Sequence, residues 1–413
     1  MIIIVKNLLA ITRKLWFFTP AADESSFERR QFFKRSTQLV ISTPVMLSAL
    51  AWSPQWVQAQ VKRNGPALLS TAVTVAQIVD ISVSQQDISR DFLIGSRAAW
   101  QDINVRGGLQ GRTITHQTIE VDGSAQSIQA AWQEVQNNPS CIVLSGCTAD
   151  SLATRINALV RSSKSSLANV APWQQNSSVE AAPHTFAIFS TREDQIAHAL
   201  KSLTALNVHT LALVFASKED RQQNLPDIQR IAQKLNLRLQ ELALLTELVK
   251  VGQPIHPSTA AIILFIGGTP ELAQFTQILD KQLRQRYVLA LADVNLQVLQ
   301  QMGGAKSTPV IATQPVPLVS AALPVVRNYR QVLMKLYDEP PVPLSLAGYI
   351  AARYTYEVIQ AIDGPLSRSS VLEAFARRQN MDLGGFRVIF ESQRRVSAYV
   401  TQSMLAADGR VIG

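Results

Sequence analysis

The chain is poor in cysteine, in histidine and in charge, and each shortage removes a class of answer. With 2 cysteines in 413 residues, no disulfide framework can substitute for a hydrophobic core. Both fall in one apolar run, Ser140-Cys-Ile-Val-Leu-Ser-Gly-Cys147. An extended run separates them by roughly 20 Å, whereas a bridge needs Cα atoms within about 7 Å. With no histidine at metal spacing, Cys141 and Cys147 read as buried free thiols. The 5 histidines, His116, His184, His198, His209 and His256, are scattered singly. Charged side chains make up 17% of the chain against 47% hydrophobic ones, which excludes intrinsic disorder. There is no Gly-x-x-x-x-Gly-Lys loop, no His-Glu-x-x-His and no Gly-x-Ser-x-Gly elbow. The paired glycines Gly107 and Gly108 lack the spacing of a dinucleotide fingerprint. The expectation is a chain with no catalytic residues, no metal and no cofactor.

What charge there is leans positive, at +9. Much of it sits in the first 59 residues, which hold seven Lys/Arg and three Asp/Glu and leave +5 on the remaining 354. Residues 23–59 have the three parts of an export signal. The charged part is Glu28-Arg-Arg-Gln-Phe-Phe-Lys-Arg35, whose paired arginines Arg29 and Arg30 resemble the twin-arginine consensus. The apolar part, Leu39 to Trp52, is interrupted by Ser42, Thr43, Pro44 and Ser48 and is too weakly hydrophobic for a membrane helix. Val57-Gln-Ala59 fits the cleavage pattern, so a mature chain would start near Gln60. The competing reading is a buried core helix behind a basic turn. The basic residues that remain are dispersed, so nucleic acid is not expected as a partner.

From residue 73 onward, short β-branched runs alternate with amphipathic stretches, the pattern of parallel sheets covered by helices. Strands are expected at 73–83, 113–121, 141–144, 211–215, 238–243, 261–266 and 287–291. Helices are expected at 90–104, 125–135, 150–162, 222–235, 270–284, 321–337 and 344–362. On the first helix Phe92, Gly95, Ala99 and Ile103 share a face. Phe386 to Phe390 and Ala398 to Leu405 alternate like an antiparallel hairpin.

Two turns and a helix carry a resemblance. Asp102-Ile-Asn-Val-Arg-Gly107-Gly108-Leu-Gln-Gly111-Arg112, Leu346-Ala-Gly348-Tyr349-Ile-Ala-Ala-Arg353 and Asp382-Leu-Gly384-Gly385-Phe386 resemble, in order, motifs of the periplasmic substrate-binding proteins of ABC importers. The similar branch is the leucine/isoleucine/valine-binding one, with the type 1 periplasmic-binding fold. The resemblance implies an α/β protein of two Rossmann-like doubly wound lobes, three crossovers and a ligand cleft between the lobes. Lobe 1 is then about 73–192 plus 317–380, and lobe 2 about 193–316 plus 381–413.

In such sheets ligands lie beyond the carboxyl ends of the strands. The loop after the first strand offers Gln86 and Asp87. The loop after the third offers Gly146, Thr148 and Ala149, where a helix start would receive a carboxylate; Thr148 either touches ligand or only caps the helix. Ala171 and Trp173 follow the fourth strand, and Trp173 either stacks on the ligand or packs beneath its loop. The resemblance adds Thr191, Phe215, Thr269 in the Gly267-Gly268-Thr269 loop, and Asp293. Asp293 falls where the family places an acid that pairs with the ligand's ammonium, or it caps the helix beginning at Leu296.

The chain departs from the family pattern at the first loop, after Phe215, and at Trp173-Gln174-Gln175. The ligand class is therefore read only as an amino acid, an amide or an organic acid. ABC permease subunits are the expected macromolecular partner, with the mature protein monomeric and periplasmic. A sensing subunit for a membrane receptor is the alternative.

Overall fold

A computed structural model describes residues 73–413 except 84, 176–183, 252–254, 392–393, 396–398 and 407–408. The proposed export signal lies outside these residues. The first sheet is parallel throughout, with strands β1 (Val73–Asp80), β2 (Ile114–Val121), β3 (Cys141–Ser145), β4 (Ala168–Val170) and β5 (Thr185–Phe186) in the order β2-β1-β3-β4-β5. All eight residues of β1 are buried, as a strand covered on both faces requires. One face carries Trp132, Ile128 and Ile156; the other carries Trp100, Phe92, Tyr329 and Tyr354.

The second sheet runs β16-β15-β10-β9-β8-β6-β7. Its parallel part is β6 (Thr210–Phe215), β7 (Arg238–Glu241), β8 (Ile262–Ile266), β9 (Tyr287–Ala290) and β10 (Val310–Gln314). The last strands complete the sheet, β15 (Thr401–Leu405) antiparallel to β10 and β16 (Val411–Ile412) antiparallel to β15. Helices cover both sheets. Around the first are α1 (Gln86–Val105), α2 (Ala125–Asn137), α3 (Asp150–Ser162), α9 (Pro324–Leu336), α10 (Pro343–Gln360) and α11 (Arg368–Ala376). Around the second are α4 (Arg192–Thr204), α5 (Lys218–Lys234), α6 (Leu245–Val251), α7 (Thr269–Asp280) and α8 (Leu296–Gln301). No helix among the described residues is long and apolar enough to cross a membrane.

The chain passes between the sheets three times: from Phe186 to Arg192, from Gln314 to Pro324, and between Phe390 and Thr401. The passages are tied together. Ser190 Oγ donates to the Tyr399 carbonyl at 3.1 Å, and Thr401 Oγ1 donates to the Val316 carbonyl at 2.7 Å. Buried Gln195 accepts from the Ala292 amide and from Thr313 Oγ1, both at 3.0 Å, and donates to Gln175 Oε1 at 2.8 Å.

The expected terminal hairpin does not form between its two named runs. Arg387–Val388 (β12) pairs with Met381–Asp382 (β11), and Phe390–Glu391 (β13) with Arg394–Arg395 (β14), while 401–405 extends the second sheet. Residues 381–390 pack on the first sheet's core through Phe386, Val388 and Phe390. This differs from the expected grouping of 381–390 with lobe 2. The alternation was real, but each short run found a different partner. Cys141 and Cys147 are buried and unpaired, and burial pushes the Cys147 thiol up to about 12.

Candidate functional site

The parallel parts of the two sheets share one strand order, 2-1-3-4-5 and 7-6-8-9-10. In each, the connections leave in opposite directions at one point, between β1 and β3 and between β6 and β8. The loops at such a switch point splay apart and leave a crevice for ligand. Both crevices open on the same cleft, of about 1150 Å³. Val83, Gln85, Asp87, Asp150 and Ser151 line it from the first lobe; Ala216, Ser217, Gly267, Gly268 and Thr269 line it from the second.

Ions dominate the floor. Arg192, the first residue of α4, points its guanidinium across the cleft. Its Nη1 lies 3.0 Å from Asp150 Oδ2 of the first lobe, and its Nη2 lies 2.9 Å and 3.0 Å from the two oxygens of Asp293. Only 14% of the Arg192 side chain is exposed. Burial works against the charge there, but Asp293 and then Asp150 outweigh it and hold the guanidinium more firmly protonated than usual. Asp220 stands nearby, accepting from Ser217 Oγ at 2.7 Å. Burial raises its carboxyl above the ordinary range, helped by Asp293 and opposed by the Ser217 bond and by Arg192.

Three helices begin at the cleft without a side-chain cap: α1 after Gln85, α3 after Ala149 and α7 after Gly268. Apart from the Gln86 amide of α1, which donates to the Ser82 carbonyl at 2.9 Å, their first-turn N–H groups are donors for a ligand oxygen. By contrast α4, α5 and α8 are capped by Thr191, Ser217 and Asn295. Asn295 also reaches over the interlobe gap, its Nδ2 donating to Asp91 Oδ2 at 2.7 Å. Burial raises the Asp91 carboxyl to about 6, against the lowering effect of that hydrogen bond.

Of the residues expected at the site, Asp87, Thr269 and Asp293 line the cleft. Thr269 Oγ1 accepts from the Asn295 amide at 2.9 Å, and Asp293 is engaged by Arg192. Asp293 does not cap the following helix; Asn295 does. Gln86 is exposed and outside the lining. The 146–149 loop is largely spent on the fold. The Gly146 amide donates to the Val170 carbonyl and its own carbonyl accepts from Gln77; the Thr148 amide donates to the Ile78 carbonyl, and its hydroxyl pairs with Ser89 at 2.8 Å. The residue preceding α3 is Ala149, not Thr148, and it sits at φ 83°. Ala171 is buried, with its amide on the Phe186 carbonyl.

Trp173 packs under its loop against Phe92 and Phe189, ring centroids 5.8 Å and 5.3 Å away. It borders a separate cavity of about 110 Å³ beside the passages. Thr191 forms a reciprocal capping box with Asp194, and Phe215 is buried in the core, leaving Ala216 and Ser217 to face the cleft. Sequence reasoning missed Arg192, Asp150 and Asp220. Each lies within a few residues of a named position, but only the fold reveals that residues 42 and 101 positions apart share one ion cluster.

A model of the family described as periplasmic binding protein matches residues 72–408. No curated protein matches the chain. Among solved structures, an extracellular ligand-binding receptor from Verminephrobacter eiseniae is 17% identical, with TM-score 0.74 over 83% of this chain and 100% of that one. A fatty acid ABC transporter substrate-binding protein from Thermomonospora curvata is 14% identical, with TM-score 0.68 over 82% and 89%. A branched-chain amino acid transporter substrate-binding protein from Streptococcus pneumoniae, in complex with isoleucine, is 12% identical, with TM-score 0.68 over 82% and 97%.

Proposed function

The chain belongs to the periplasmic binding protein family, and we propose that it captures a small solute bearing a carboxylate or amide, amino acids among the candidates, by closing its two lobes, and delivers it to the permease of an ABC importer. It is a binding protein and not an enzyme. The observation that carries the proposal is the convergence of both switch points on one cleft. The three tied passages form a hinge, the architecture of closure around ligand. The uncapped helix starts supply donors for a carboxylate or amide oxygen, and the similar proteins from T. curvata and S. pneumoniae are named for a fatty acid and isoleucine, both carboxylates. Export by the twin-arginine route, from Arg29 and Arg30, places this work in the periplasm. Replacing both with lysine abolishes secretion on this reading; continued secretion contradicts the route.

The solute is found by thermal unfolding of the chain from Gln60 onward against amino acids, amides and organic acids. A solute at 100 times its Kd adds about 2.7 kcal/mol to stability. A panel with no effect on Tm contradicts the proposal.

A further inference from the structure

The family resemblance gives Asp293 to a ligand ammonium, but in this chain Asp293 already has a cation. Arg192 and Asp293 belong to the same lobe, and Nη2 reaches both carboxylate oxygens, with Nε at 3.4 Å from Oδ2. Nothing in lobe opening separates that pair. The third contact, Nη1 to Asp150 Oδ2 at 3.0 Å, is different, since it crosses from the second lobe to the first. Asp150 is held to receive it: its Oδ1 accepts the Gln175 backbone N–H. Gln175 is in turn bonded to Gln195 of α4, one turn along from Arg192, and the Arg192 amide donates to the Gln175 carbonyl at 2.7 Å. A charge-assisted bond between the lobes, in a site this little exposed, is screened weakly.

We propose that Arg192 supplies, from the chain itself, the cation that joins the acids of the two lobes, so that capture of a solute needs no ammonium group at Asp293. This rests on the solute-capture reading and narrows it to carboxylic acids and amides held by the remaining donors of the cleft. Arg155 and Lys250 line it as exposed cations, beside the uncapped starts of α1, α3 and α7.

Two measurements test the proposal, one with solute and one without. In calorimetric titrations of the wild-type chain, a carboxylic acid lacking the α-amino group binds within about tenfold, 1.4 kcal/mol, of its amino-acid counterpart or more tightly. In Arg192→Ala the order reverses toward the amine-bearing member. An amino acid bound much more than tenfold tighter than its desamino analogue by the wild type overturns the proposal. Without solute, small-angle scattering gives Arg192→Ala and Asp150→Asn a larger radius of gyration than the wild type. Asp150→Asn keeps the Arg192–Asp293 pair and guards against a folding defect in the first variant. Methylguanidinium at millimolar concentration restores the wild-type radius to Arg192→Ala alone. Unchanged radii in both variants overturn the bridge. A wild type that binds nothing in the panel while the variants still open contradicts solute capture and upholds the bridge.

Discussion

Asp91 holds a carboxylate in a partly buried interlobe contact, and its value of about 6 lies well above the ordinary 3.8. A carboxyl raised in the folded state stabilises fully below its unfolded value and loses that contribution as pH rises through the folded one. At pH 7.5 the charge is therefore a net cost. Asp91→Asn keeps an acceptor for Asn295 and should raise stability by on the order of 1–2 kcal/mol at that pH, after discounting for partial exposure. Equal chemical-denaturation midpoints for the two proteins would refute this.

His116 works in the opposite direction. Burial, and secondarily Arg97, lower it to about 4 from 6.5. Gln77 gives its Nε2 to the Gly146 carbonyl, so its Oε1 is the acceptor and His116 Nε2–H the donor, at 3.0 Å. The contribution of a histidine kept neutral is present above pH 6.5 and is lost as pH falls from there toward 4. His116→Gln should flatten the decline of the denaturation midpoint over that window, and an unchanged slope would count against it. Trp173, 2% exposed among Phe92 and Phe189, is a core residue. Trp173→Ala should cost about 3–5 kcal/mol of stability, and at temperatures where the variant is folded its solute affinity should change far less than that of a cleft variant.

At the scale of elements, α1 and α10 meet backbone to backbone. A Cβ on Gly95 would lie 1.7 Å from the Ser345 carbonyl oxygen, and one on Gly348 would lie 1.9 Å from that of Phe92. Either glycine changed to alanine must push the helices apart, an overpacking cost of about 1–3 kcal/mol or more, readable as a fall in Tm; a Tm within error of wild type would mean the helices are not in contact there. The same contact explains why the fold was legible in the sequence. Gly348 is the glycine of the Gly-Tyr motif, and Gly95 lies on the helix face read from periodicity.

The other two motifs are also scaffolding. Asn104 clamps the backbone of Ile114 with both amide atoms at 2.8 Å, around a turn in which a Cβ on Gly108 would lie 2.0 Å from the Arg112 oxygen. Asp382 accepts from the Gly385 amide and from Arg387 Nε. These are local devices, complete within a dozen residues or so or between two helix faces, so they leave a mark on the sequence. The cleft is not local. Asp150, Arg192 and Asp293 meet only because two switch points face each other, and their individual surroundings in the sequence are unremarkable. Three of the expected site residues reached the cleft because loops beyond strand ends are legible; Trp173 and Phe215 did not, because a large apolar side chain beside such a loop is better buried than presented.

At the scale of the molecule, the charge has moved from the surface to the cleft as the quantity that matters. The chain carries +9 overall, yet the cleft is lined by Asp87, Asp150, Asp220, Glu271 and Asp293 against Arg155, Arg192 and Lys250. Such a lining favours polar solutes held by several directed bonds over bulk attraction to an anion. Breaking the cluster by Arg192→Ala leaves two acids facing each other across the lobes with little water, and by analogy with buried pairs should cost about 3 kcal/mol, with part of the loss recovered in high salt; a denaturation midpoint equal to wild type would show the cluster to be energetically idle.

The central claim is that the lobes close on a solute, and the distance between them tests it most directly. Ala158→Cys on α3 and Gln233→Cys on α5 are exposed positions on opposite lobes, and the native thiols are buried, so paired spin labels report that distance alone. A solute that raises Tm should shorten the distance and narrow its distribution. A solute that raises Tm and leaves the distribution unchanged would show that it binds elsewhere, and the cleft would not be the site.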